Sequence, residues 1–294
     1  MTGRSHEEDK MVATSQPIDV DAFVDEWREW HANQEAKIGD RHGFLAVTSI
    51  NWLTEEPQRF PDAPGEWAST QDGVQVVLAD GESISVDGEE VTGTYDFVSV
   101  AERGGITANW KSGEKDVVLE VAQRGGRNIL RPRHPDAPLV TAYKGTPAYD
   151  PDPKWAVAAR YVPFDSPRKT EVGAAVEGIR HVYEAPGQVQ FVIDGQALAL
   201  TVFGSPYGKG FNVLFTDLTS GTTTWPANRS LMLGAPADDG SLIIDFNRAT
   251  NLPCAYTDLA TCPLPPAENR LPVEVTAGEK IPYERNLGGD HSSN

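Results

Sequence analysis

The sequence predicts a mainly β protein, an antiparallel β-sandwich or barrel-like core with one N-terminal amphipathic helix. Three observations lead there. Short runs that alternate apolar and polar residues, or are rich in β-branched ones, recur from Val74 onwards. Five Asp-Gly pairs, at 72, 80, 87, 194 and 239, punctuate them. No helical pattern separates one run from the next. Asp-Gly readily adopts the positive φ angles of tight hairpin turns, so the connections are mostly antiparallel. The missing helices argue against a doubly wound sheet, and helix is expected in fewer than roughly one quarter of residues.

Taken in chain order, Asp19 reads as an N-cap, and Val20, Phe23, Val24, Trp27 and Trp30 recur at helical spacing, which predicts one helix to about Lys37 with its apolar stripe packed on the main domain. After Gly43 the pattern turns to strands: 74–79, 83–86, 91–100, 117–121, 155–162, 189–193, 197–203, 211–215, 242–246 and 273–276. A single β-rich domain over 18–285 is expected, between disordered tails at 1–17 and 286–294. Residues 74–86 and 189–200 look alike around their Asp-Gly pairs when one gap is allowed. This hints at two related halves, although any two hairpins share such a pattern.

Composition limits the function. With 39% hydrophobic residues in 294, the chain can bury a substantial core. Its 43 acidic and 25 basic residues give a net charge of -18, which makes phosphate-backbone binding unfavourable, so no nucleic-acid partner is expected. Met1 to Gln16 lacks the apolar core of a secretory signal, and no apolar run approaches the roughly 18 to 20 residues of a membrane helix. The expectation is a soluble, cytoplasmic protein in which Cys254 and Cys262 are thiols, their spacing fitting no standard zinc motif. There is no nucleophile elbow, P-loop or dinucleotide fingerprint, and no cofactor is expected. The six histidines form no close ligand pair, so no metal is assigned and any metal site has to assemble from distant positions.

The chemically dense part of the chain runs from Asp245 to Pro272. It holds both cysteines, the carboxylates of Asp245 and Glu268, several amides and two arginines, fixed by prolines. Asp245, Asn247, Arg248, Asn251, Pro253, Cys254, Cys262, Pro263, Pro266, Glu268, Asn269, Arg270 and Pro272, followed by Ala277-Gly278-Glu279-Lys280, resemble the signature of the prokaryotic domain-of-unknown-function family 1684. Gly43 to Thr48 with Trp52-Leu53, the Arg124-Gly125-Gly126-Arg127 turn, Trp155, and Phe215 to Gly221 ahead of Arg229 agree with it. The resemblance spans roughly residues 20 to 282 and implies no reaction. His134 departs from the acidic residue that the family tends to carry after Arg131.

Two readings of the dense segment stand side by side. In one, its amides cap turns and Arg248 pairs with Asp245 or Glu268, so that prolines lock a structural excursion over the sheet end. In the other it is a site. Asp245 or Glu268 would then act as general acid or base, with Arg248 or Arg229 orienting an anion and Asn247 or Asn269 bonding a carbonyl. Asn251 and Lys280 would join them in one pocket. Cys254 is the strong nucleophile of the motif, but its neighbours offer no base, which favours a buried structural thiol. Arg124 and Arg127, with Arg131 and Arg133 close behind, form the one basic cluster, able to grip a carboxylate or phosphate or to pair with surface acids. The expected function is a cofactor-independent enzyme of hydrolase or proton-transfer type, acting on a small anionic or acyl compound. The alternative is a non-catalytic protein enclosing an apolar ligand among Trp52, Trp67, Trp110, Trp155 and Trp225.

Overall fold

Asp19 opens the chain's long helix as its N-cap: its carboxylate accepts the Ala22 N–H at 3.2 Å, and α1 runs Val20–Ile38. The computed structural model describes residues 19–98, 100–102 and 104–286, so the tails expected at 1–17 and 286–294 lie outside the described residues except for Asn286, together with His6 and His291. The helix engages the body through the later part of its stripe. Val20 is 54% exposed, whereas Trp27 donates its indole N–H to Asn247 O at 2.7 Å.

Strand accounts for 44% of the described residues and helix for 16%. The first ten strands are β1 (Asn51–Trp52), β2 (Gln58–Arg59), β3 (Glu66–Ser69), β4 (Gly73–Val77), β5 (Ile84–Val86), β6 (Glu89–Val91), β7 (Thr94–Val98), β8 (Gly105–Ser112), β9 (Lys115–Arg124) and β10 (Arg127–Arg133). They form a six-stranded sheet, β1-β10-β9-β8-β5-β6, and a four-stranded one, β2-β3-β4-β7. The two face each other across a core in which Trp67, Val74, Val76 and Phe97 of the smaller sheet meet Leu119, Val121 and Leu130 of the larger. A short helix α2 (Pro138–Ala142) leads to β11 (Ala156–Gly173), β12 (Arg180–Ile193), β13 (Gln196–Gly204), β14 (Phe211–Phe215), β15 (Arg229–Leu233) and β16 (Ser241–Asp245), with α3 (Tyr283–Asn286) closing the described chain. These later strands make one curled sheet, β15-β14-β13-β12-β11-β16. Phe246, Ala249, Leu271, Val275 and Ala277, from the segment after β16, fill its core. None of the described helices is long and apolar enough to cross a membrane.

Three of the five Asp-Gly pairs lie in hairpin connections, Asp72-Gly73 between β3 and β4 without a positive φ at the aspartate, and two make the expected positive-φ turn. Asp87 and Asp194 have φ of 51° and 49°, followed by Gly88 and Gly195 at 86° and 76°, and they join β5 to β6 and β12 to β13. The pair at Asp80 instead carries the chain from the small sheet to the large one. Residues 74–86 are therefore no hairpin, and their likeness to 189–200 does not extend to the fold. Residues 273–276 are also not a strand. The Val275 N–H points to the Asp217 carboxylate at 3.4 Å and its carbonyl accepts from Arg229, so side chains replace a ladder.

Candidate functional site

The polar groups of the C-terminal segment do not converge on one pocket. Asp245 caps the turn that follows it, accepting the Asn247 N–H at 3.1 Å and its side-chain amide at 2.8 Å. Buried Asn247 exchanges two 3.0 Å bonds with the backbone of Asp152. Arg248 pairs with Asp245 at 3.2 Å and with Glu26 of α1 at 2.5 Å, so this trio fastens the helix and the start of β11. Asn269 sits elsewhere. Fully buried, it accepts the Thr201 N–H at 2.8 Å and donates to Thr201 O at 2.9 Å and Leu214 O at 2.8 Å, stapling β13 to β14. Glu268 is exposed and receives the Thr201 hydroxyl at 3.2 Å.

Arg229 is 1% exposed, paired with Asp217 at 2.6 Å, and it donates to the carbonyls of Ala277 and Val275. Lys280 lies over the Tyr149 ring at 4.3 Å, and the Asn251 side chain donates to Lys280 O at 2.8 Å. Arg229 and Asn251 thus spend donors on backbone carbonyls and not on one another, while Arg229 Nε and Asn251 Oδ1 stay buried without a hydrogen-bond partner. Cys254 and Cys262 are buried free thiols, with the Cys254 N–H 3.3 Å from Cys262 Sγ. The hydrogen bond to Cys254 and burial both push the Cys262 thiol up.

The basic cluster fares differently. Side chains alternate along a strand, and β10 pairs antiparallel with β9 so that Arg131 stands opposite Glu120. Glu120 and Arg124 of β9 therefore share a face with Arg131 and Arg133 of β10. Leu119, Val121 and Leu130 point the other way, into the sandwich core. That polar face looks across a cleft of about 400 Å³ at His181 and Tyr183 of β12 and at the loop from Leu252 to Pro263. Arg127 is not part of it; exposed at the strand end, it stacks 4.4 Å over Trp52. His134 lies outside too, edge-on to Trp110.

Three guanidiniums surround one carboxylate on this face. Glu120 bonds Arg131 at 2.5 Å and also Arg133, with Arg124 at 3.8 Å. Burial opposes the charge of Glu120, but the Arg131 and Arg133 guanidiniums outweigh it and hold the carboxyl below its ordinary value. Burial, and then the charge of Arg131, lower Arg124. The Nε atoms of Arg131 and Arg133 are buried with no hydrogen-bond partner. Across the cleft, His181 is 3% exposed and its Nε2 lies 2.9 Å from Thr261 O. A carbonyl only accepts, so Nε2 carries the hydrogen and Nδ1 of the neutral ring holds a lone pair, without a partner.

A second group, half-buried at His31 and Glu35 and buried at Glu279, sits where α1 meets the segment after β16. His31, Glu35 and Glu279 each present a donor atom within 4.8 Å of the others. Burial pushes the Glu279 carboxyl up to about 8 and lowers His31, against the pull of Glu35. Glu279 was noted only as part of the Ala277-Gly278-Glu279-Lys280 motif, and neither its meeting with His31 and Glu35 nor the place of Glu120 was read from the sequence. The signals were present: the alternation Arg131-Pro132-Arg133, and the four-residue step from His31 to Glu35 on a predicted helix.

Residues 141–280 match the family described as "Protein of unknown function (DUF1684)". The match begins after the arginine-bearing strands, a shorter span than the resemblance read from residues 20 to 282. No curated protein matches the chain. Among solved structures, the solution NMR structure of an uncharacterized protein of Haloarcula marismortui is 29% identical, covering 48% of this chain and 79% of its own, with a TM-score of 0.41.

Proposed function

We propose that this chain, whose residues 141–280 belong to the DUF1684 family, binds a small carboxylate or phosphate in the arginine-lined cleft and acts on it without a cofactor. One observation carries the reading: three arginines against a single carboxylate line the cleft, in a protein with a net charge of -18. Guanidiniums are the groups best shaped for bidentate contact with carboxylate or phosphate. A cleft with low-dielectric walls concentrates their field, so the overall acidity need not repel an anion there. Two buried Nε–H donors without partners add directional capacity.

His181 supplies the chemistry in this reading. Its Nδ1 accepts a proton from water or from a substrate carbon acid, and Thr261 O fixes the ring through Nε2. It takes the general-base role that the sequence suggested for Asp245 or Glu268, which serve the fold. The arrangement favours hydrolysis or proton transfer on a small anion. The apolar-ligand alternative has less behind it, because the tryptophans scatter: Trp67 and Trp155 belong to different cores, while Trp52 lies under Arg127. Two buried thiols agree with a reducing, cytoplasmic setting.

A thermal-shift screen against inorganic phosphate and a series of small mono- and dicarboxylates tests the reading. A ligand at about 100 times its Kd stabilises by roughly 2.7 kcal/mol, which corresponds to roughly 5 to 10 °C for a chain of this size. At least one anion should reach that shift at low salt and lose much of it at high salt. If apolar ligands stabilise the protein while no anion does, the proposal fails.

A further inference from the structure

His31 and Glu35 stand one turn apart on α1, and Glu279 arrives from the far end of the chain, so three donor groups meet that the cleft does not use. Two ligands each about 2.1 Å from a tetrahedral ion lie roughly 3.4 Å apart. His31 Nε2 is 3.6 Å from Glu35 Oε1, a separation too long for a good hydrogen bond and suited to a shared ion. Glu279 is 1% exposed, and its Oε1 is buried with no hydrogen-bond partner; His31 Nε2 is likewise unpartnered.

The surrounding groups orient these donors. Tyr143 donates its hydroxyl to Glu35 Oε2 at 2.8 Å, and the Thr146 N–H bridges both Glu35 oxygens at 3.2 and 3.1 Å. The Asn251 N–H donates to Glu279 Oε2 at 2.6 Å and leaves Oε1 bare. Trp27 stacks on the His31 ring, with centroids 4.7 Å apart. Glu279 is thus held by one oxygen with the other open, Glu35 is oriented through both of its oxygens, and His31 is held by stacking, which is how outer contacts support a metal site. A buried carboxylate oxygen without a partner is unfavourable unless a cation or a proton meets it. Among the described residues, no lysine or arginine forms an ion pair with Glu35 or Glu279.

We propose that His31, Glu35 and Glu279 bind one divalent first-row transition cation of the zinc or manganese class. Imidazole suits zinc and iron, and carboxylates suit manganese, so the mixed donor set points to this group of ions. Two carboxylates balance the two charges of the ion. Three protein ligands leave a coordination position open, as in zinc sites that exchange water or substrate.

The test uses the full chain, stripped with a chelator and dialysed against Mn2+, Zn2+ or Co2+, with bound metal counted by plasma mass spectrometry. One ion per chain is expected, with binding weakened roughly tenfold or more in both His31→Gln and Glu279→Gln. The cobalt form should show d–d bands without thiolate charge transfer, which separates this site from Cys254 and Cys262. Should a variant fail to fold, X-ray absorption of zinc-loaded wild type decides: imidazole with oxygen ligands supports the site, and sulfur overturns it. No uptake of any of these ions, or unchanged binding in both variants, also overturns it and leaves a shared proton as the occupant.

Discussion

Replacing Arg229 by methionine separates a structural arginine from a ligand-binding one. Arg229 is 1% exposed, and its partner Asp217 has a fully buried side chain 2.6 Å away. Burial disfavours the guanidinium charge and Asp217 supports it. Methionine fills much of the volume but leaves Asp217 Oδ2 without its cation and the carbonyls of Val275 and Ala277 without a donor. Stranding a buried charge costs about 3 to 5 kcal/mol, and each orphaned acceptor about 1 to 3, though such losses do not add fully. A loss of about 4 kcal/mol lowers the melting temperature by roughly 10 °C in a chain of this size. Calorimetric unfolding at pH 7 measures it, and adding Asp217→Asn should recover part of the loss by removing the stranded charge. Anion binding at 25 °C should persist in the folded fraction. An unchanged melting temperature together with lost anion binding would refute the reasoning and return Arg229 to a site.

Three further expectations follow from the same geometry. Asn269→Ala removes the three buried hydrogen bonds that tie this side chain to Thr201 of β13 and Leu214 of β14 and should cost about 2 to 3 kcal/mol, with faster hydrogen exchange at the Thr201 amide; unaltered exchange there would remove its role as a staple. Glu120 is held below its ordinary 4.5, so it binds protons less readily folded than unfolded. Its stabilisation is complete above about 4.5 and is lost as pH falls through the lower folded value, and Glu120→Gln should flatten that acid limb; an identical limb in the variant would contradict the assignment. Cys254 and Cys262 should stay unlabelled by alkylating reagent in the native protein yet both react in denaturant without reductant, because they are buried free thiols; a need for reductant would mean a disulfide.

How much of this was legible depends on what each residue meets. The β architecture was readable because period-two alternation is local, and Asp87-Gly88 and Asp194-Gly195 form the turns their chemistry favours. β10 and β15 escaped because Arg131, Arg133 and Arg229 interrupt an apolar pattern, and these arginines find acids supplied by β9 and by the loop after β14. The dense C-terminal segment was correctly seen as rich in ordered polar groups. Counting them cannot reveal whether a group serves a ligand or the chain itself. Asn247 bonds a backbone 95 residues away and Asn269 one 68 residues away, partners that no local pattern names. The cleft combines Arg124, Arg131 and Arg133 with His181 and Thr261, which come together only when the two β halves meet.

The central claim is that the cleft holds a small anion against its guanidiniums, with Glu120 as the internal competitor for the same donors. Titration calorimetry of the best anion from the thermal screen against wild type, Arg131→Lys and Glu120→Gln tests it most directly. Losing the planar fork should weaken binding by roughly 1.5 to 3 kcal/mol, about 10- to 150-fold. Removing the competing carboxylate should tighten it, with one site per chain in every case. Equal affinity in all three proteins, or weaker binding by a folded Glu120→Gln, would contradict the account.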